Sequence, residues 1–121
     1  MNEKSKIISE EFLLFATSII SVVAGIANVQ VRNVIGYQLI KSGSSAGANY
    51  EEACGAESKA DFIHKLHIVY KELRESNYWI KIIKKSGISN STELDAIFNQ
   101  SEKLLKIIGK SLITSKKNRA T

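Results

Sequence analysis

The chain has 121 residues, 44% hydrophobic and 24% charged, with a formal net charge of +5 and an isoelectric point near 9.4. That length supports a single hydrophobic core, the composition is globular rather than disordered, and one Cys excludes an internal disulfide framework. Pro is absent and no strand-like runs flank hairpin turns, so an all-α chain is expected.

The first helix is expected over 5–26. Ile8, Phe12, Phe15, Ile19, Val22 and Ile26 recur in steps of four and three, with Ala16, Ile20 and Val23 widening that face. Residues 12–23 also have the length of a secretory hydrophobic region, followed by small residues at Gly25-Ile26-Ala27. However, Glu3, Glu10 and Glu11 outweigh Lys4 and Lys6 ahead of it, so the basic leader is missing. Thr17, Ser18 and Ser21 interrupt the stretch as a membrane span. The expectation is the first helix of a cytoplasmic bundle with no membrane partner.

A turn at 27–30 leads to a second helix over 31–54. By propensity alone, SGSSAG at 42–47 is a loop, because Gly and Ser cost helix stability. Its flanks argue for continuation. Val31, Ile35, Gln38, Ser42, Ser45, Asn49 and Ala53 form one stripe, and Ile35, Leu39, Gly43, Ala46 and Tyr50 an adjacent one. Gly43, Ala46 and Gly47 then offer a small-residue groove to a partner helix, and the Ser hydroxyls can bond to carbonyls of the preceding turn. Gly55 is the expected stop. Cys54, just before it, reads as a small buried filler that suits a reducing compartment.

The third helix is expected over 58–85, opened by Ser58 with Asp61 three residues on. Phe62, Leu66, Val69, Leu73, Ser76, Ile80 and Ile83 keep a heptad seam over three repeats. Residues 86–90 form a loop, with Gly87 as C-cap and Asn90–Glu93 as the next start signal. A fourth helix over 91–115 carries Leu94, Ile97, Ser101, Leu104, Ile108 and Leu112, with Phe98 and Leu105 beside them, and 116–121 is expected as a fraying polar tail. The short connections imply one domain over 1–121, an antiparallel up-down-up-down four-helix bundle.

The middle of the chain carries an ordered set of residues: Gln38-Leu39, Ser42, Ser45, Gly47-Ala48-Asn49, Glu52-Ala53 and Ala56-Glu57-Ser58. Asp61-Phe62-Ile63-His64-Lys65, Lys71-Glu72-Leu73-Arg74-Glu75 and Tyr78-Trp79 continue it. This run resembles the bacterial four-helix bundle family that includes the 23S rRNA-intervening-sequence proteins and the accessory proteins of diversity-generating retroelements. Ala46 stands where that pattern commonly has a larger aliphatic residue. The resemblance implies a homopentameric ring of bundles. It also implies that Gln38, Ser42, Ser45, Gly47, Asn49, Glu52, Asp61, Glu72, Glu75, Tyr78 and Trp79 serve helix packing and assembly.

Chemistry is harder to find. Asp61-x-x-His64, with His67 one turn on and Glu51 and Glu52 on the second helix, is half of a bundle di-metal site. Only two His occur, so the second carboxylate–His pair is missing and no metal or cofactor is expected. Glu72 and Glu75 are flanked by Lys71 and Arg74 and read as salt-bridge partners rather than as an acid/base pair. Ser42, Ser44 and Ser45 lack a nucleophile elbow, and Gly43/Gly47 lack the Lys-Ser/Thr of a phosphate loop. Tyr78-Trp79 could stack on a base, although aromatics at such a place are more often core or interface. The basic residues Lys84, Lys85, Lys110, Lys116, Lys117 and Arg119 complement helix dipoles and are the candidates for contact with RNA or DNA. The expected function is a non-enzymatic oligomeric module, meeting nucleic acid or a nucleic-acid-bound partner. The alternatives are a purely structural homo-oligomer and a metal-dependent bundle enzyme.

Overall fold

A computed structural model describes residues 1–120, with side chains through Asn118. The described residues form four helices and no strand: α1 (Glu3–Ala24), α2 (residues 29–54), α3 (Lys59–Ser86) and α4 (Thr92–Ala120). Each start has a chemical reason. Asn2 accepts from the Ser5 amide at 2.8 Å, Asn28 from Val31 at 3.0 Å, Ser58 from Asp61 at 3.0 Å and Ser91 from Leu94 at 3.1 Å. Each side chain satisfies an amide that the first helical turn leaves unbonded. α3 ends at Gly87, whose φ of 71° places it in the left-handed region that a side chain would resist.

Contacts between neighbours set the topology. On α1 and α2, Phe12 stacks on Tyr50 with ring centroids 5.2 Å apart, and Val23 packs at Gly36, so rising numbers meet falling ones. On α2 and α3, Ser42 meets Ser76 and Glu52 meets Lys65; on α3 and α4, Asn77 meets Ser101 and Lys84 meets Asp95. Glu11 of α1 receives Lys103 of α4 at 3.3 Å and closes the circuit. The arrangement is an antiparallel four-helix bundle. Every apolar position of the expected stripes on α3 and α4 is buried except Phe62, Phe98 and Leu105, which are half-buried. On α1, Ile20 faces outward, 51% exposed, rather than widening the core face.

The Gly/Ser-rich middle of α2 is continuous helix, for two physical reasons. Gly43 and Gly47 lie directly against Ile19, Phe15 and Phe12 of α1, where a β-carbon would crowd the neighbour. The hydroxyls of Ser42 and Ser44 bond to carbonyls of the preceding turn, so no polar group is stranded. Two features depart from expectation. Arg32–Gly36 is wound as a π-helix within α2, bringing Val31 and Ile35 against the core while burying Gly36. A β-carbon at Gly36 would stand 2.6 Å from Val23 Cγ1, and Arg32 donates to the Ile26 carbonyl at 2.9 Å, fastening the α1–α2 turn. In α4, helix continues to Ala120 through the segment expected to fray, because Lys116 to Ala120 contains no helix-breaking residue.

α1 is long and apolar enough to cross a membrane by length and composition. Its Ile8, Phe12, Phe15, Ile19, Val22 and Val23 face is buried in the bundle.

Candidate nucleic-acid interface

The structure separates the basic residues that sequence reasoning grouped. Lys84, at the C-terminal end of α3, pairs with Asp95 at 2.9 Å and lies 4.4 Å from the Phe98 ring centroid, so it is committed within the fold. Lys85 beside it is exposed. Lys110, Lys116 and Lys117 are exposed on the distal part of α4. Antiparallel packing puts Lys116 some 30 Å from the level of Asp95, at a rise of about 1.5 Å per residue. The two groups therefore occupy opposite ends of the bundle. The side chain of Arg119 lies outside the described residues.

Of the packing residues, Ser42 and Glu52 make contacts between α2 and α3 within one chain, and the others are spread over several faces. Ser76 donates to Ser42 Oγ at 2.8 Å in the buried interior, with the Glu72 carbonyl at 2.9 Å as its other acceptor. Asn49 donates to the Ser45 carbonyl at 2.9 Å, and Glu52 pairs loosely with Lys65 at 3.8 Å. Gly47 admits Phe12, Asp61 sits in the first turn of α3, and Gln38 is half-buried. Glu75 accepts from the Trp79 indole at 3.3 Å, and Trp79 meets the Tyr78 ring edge-on at 5.6 Å.

What the sequence reading missed is the outer face of α3. His64, His67, Lys71, Arg74, Tyr78, Lys81 and Lys85 step 3-4-3-4-3-4 and are all exposed. One unbroken stripe thus carries four permanent cations, two His and one Tyr, and no carboxylate. Asp61, Glu72 and Glu75 fall on its flanks and are half-buried. The ion pairs expected between Lys71 or Arg74 and those glutamates do not form. Among the described residues, salt bridges join Lys65–Glu52, Lys84–Asp95 and Lys103–Glu11, and none uses a cation of this stripe. The signal was available: the same heptad count that marks the buried seam marks the opposite, basic one.

Two titrations respond to these surroundings. Burial, then the neighbouring Glu75 carboxylate, pushes the Glu72 pKa up, against the pull of Lys71 and Lys41. His67 is pushed down by desolvation, then by Lys116 of α4 and His64. Its proton is thus held less firmly than in water, as it would be at the edge of a cationic surface.

Midway along the stripe a cleft of about 700 Å³ opens between α3 and α4, lined by His67, Lys71, Arg74, Tyr78 and Lys81 of the stripe together with Tyr70, Glu75, Asn77 and Leu105. A second, more apolar groove of about 710 Å³ lies between α1 and α2, floored by Gly47 and Ala48 and walled by Phe12, Leu13 and Ala16. Leu13 is 60% exposed there, and Ile7, Leu14 and Ile20 are also exposed on α1. Asp61 and His64 are not joined by Glu51 or Glu52; no three metal-ligating side chains converge among the described residues.

The model of the family described as 23S rRNA-intervening sequence protein matches residues 4–110 of the chain. Among solved structures, a protein of unknown function from the S23 ribosomal protein family of Bacteroides thetaiotaomicron superposes with a TM-score of 0.81. It is 32% identical, and the match covers 90% of this chain and 97% of that one. No curated protein matches.

Proposed function

Because the chain belongs to the 23S rRNA-intervening sequence protein family, we propose that it is a non-enzymatic, oligomeric helical-bundle module that binds nucleic acid through the basic outer face of α3. One observation carries this reading: an exposed stripe of Lys71, Arg74, Lys81 and Lys85 free of carboxylates and of internal ion pairs. Cations with no partner in the fold are the groups from which phosphates can displace counterions. Assembly into a homo-oligomer, a pentamer by family resemblance, is supported by the apolar side of α1 and its groove with α2. That face belongs to the other half of the bundle, so a ring built on it leaves α3 outward. A cytoplasmic setting fits the single, unpaired Cys54.

The test is a titration of fluorescently labelled RNA and DNA oligonucleotides against salt. Four phosphate contacts on a single strand give a slope of log affinity against log salt of about −3. The triple variant K71E/R74E/K81E should abolish binding while its helical circular dichroism is unchanged. Binding indifferent to salt, or an unaffected triple variant, would refute the reading. The second reading, a scaffold that touches no nucleic acid, is favoured by the apolar α1 face, which serves assembly alone. It predicts no binding at any salt concentration.

A further inference from the structure

Resting on the nucleic-acid reading, the geometry points to a single-stranded ligand, one base of which docks in the cleft at Tyr78. Four observations meet there. Tyr78 is 59% exposed although aromatic and inside a 28-residue helix. Its ring is not loose: Trp79 supports it edge-on at 5.6 Å, and Glu75 holds the Trp79 indole at 3.3 Å. The cleft beside it, about 700 Å³, is within the roughly 300–1,000 Å³ range of pockets that hold small organic groups. Arg74 and Lys81 stand one turn to either side and Lys71 two turns before it on the same exposed face, where the phosphates flanking a docked base would lie.

The lining also supplies a polar edge. The Asn77 amide nitrogen is committed to Ser101 Oγ at 2.9 Å and to Glu102 at 3.0 Å, which fixes the side chain and leaves its carbonyl oxygen as an acceptor. Tyr70 and Leu105, half-buried, form the apolar wall. A duplex keeps its bases stacked inward and could use only the cations. A single strand can lay a base on an aromatic ring and use both. A phosphate-binding surface alone would have no use for an aromatic at its centre.

Twelve-nucleotide oligo-U and oligo-dT, an abasic twelve-mer and a twelve-base-pair duplex are titrated against the full chain, Tyr78→Ala, Tyr78→Phe and Lys71→Ala. The single strands should bind about tenfold tighter than the abasic strand, the scale of one base–aromatic stack. Tyr78→Ala should erase that advantage, Tyr78→Phe should keep it, and Lys71→Ala should weaken every probe alike. A difference between oligo-U and oligo-dT would report contact with the 2′-hydroxyl or with the thymine methyl group and count for the proposal. Base docking fails, while nucleic-acid binding stands, if Tyr78→Ala leaves the base-bearing and abasic strands as far apart as before and Lys71→Ala weakens both. It fails equally if poly-glutamate competes as well as oligo-U, which would mark a generic polyanion surface. No binding of any probe overturns both.

Discussion

Glu72 shows how one residue can carry a conflict between stability and position. It sits half-buried on the flank of α3, and burial together with Glu75 raises its pKa above that of the unfolded chain. A carboxyl whose folded pKa is raised gives stability that is complete below the unfolded value of 4.5 and lost as pH rises through the folded value. At neutral pH the ionised group therefore opposes folding. Glu72→Gln should raise the melting temperature at pH 7, and the gain should be smaller at pH 4, below the unfolded value. Thermal melts at the two pH values check this, and an equal gain at both would exclude titration as the cause. Tyr50 titrates far from this range: burial against Phe12 pushes its phenol up to about 12, so it stays protonated throughout.

At the scale of the element, α2 teaches most. Its periodic positions were legible because apolar and small residues recur at the right steps on both sides of the Gly/Ser run. The π-helical Arg32–Gly36 stretch was not legible, since a one-residue widening of a turn leaves no mark in composition. The glycine face gives a direct test. Gly43→Val forces a branched side chain into the space of Ile19 and Phe15 and should cost about 2 kcal/mol or more, measured by urea denaturation. Ser44→Ala, on the exposed side of the same turn, should cost nothing or stabilise slightly, because Ala is the better helix former. Equal losses would mean that α1 does not rely on close approach. The placement of the basic residues belongs to this same scale. Lys84, Lys85, Lys110, Lys116 and Lys117 sit toward helix C-termini, and an up-down topology sends the C-termini of α3 and α4 to opposite ends.

For the whole molecule, the bundle divides its labour between two sides. The α1–α2 side is apolar, with Leu13 and Ala16 over the small-residue floor of Gly47 and Ala48, while the α3 side is cationic. The proposed assembly through this side predicts that Leu13→Lys lowers the mass measured by light scattering toward that of the monomer, with the helical signal intact. An unchanged mass would overturn assembly through this side. The bundle itself, its four helices and their core were readable from periodicity, because burial repeats along a helix. The cleft at Tyr78 was not, because it depends on Tyr70 of α3 and Leu105 of α4 arriving at one place from residues far apart in the chain.

The unbroken winding of α3 has a metric consequence. From Lys71 to Lys85 the charged face extends about 21 Å along the helix, the length of about six stacked nucleotides at 3.4 Å each. A flexible loop would adapt its reach to whatever it met. A helix has a fixed gauge, so each protomer would occupy a set number of nucleotides, and the stoichiometry along a long strand would be written in the dimensions of the protein.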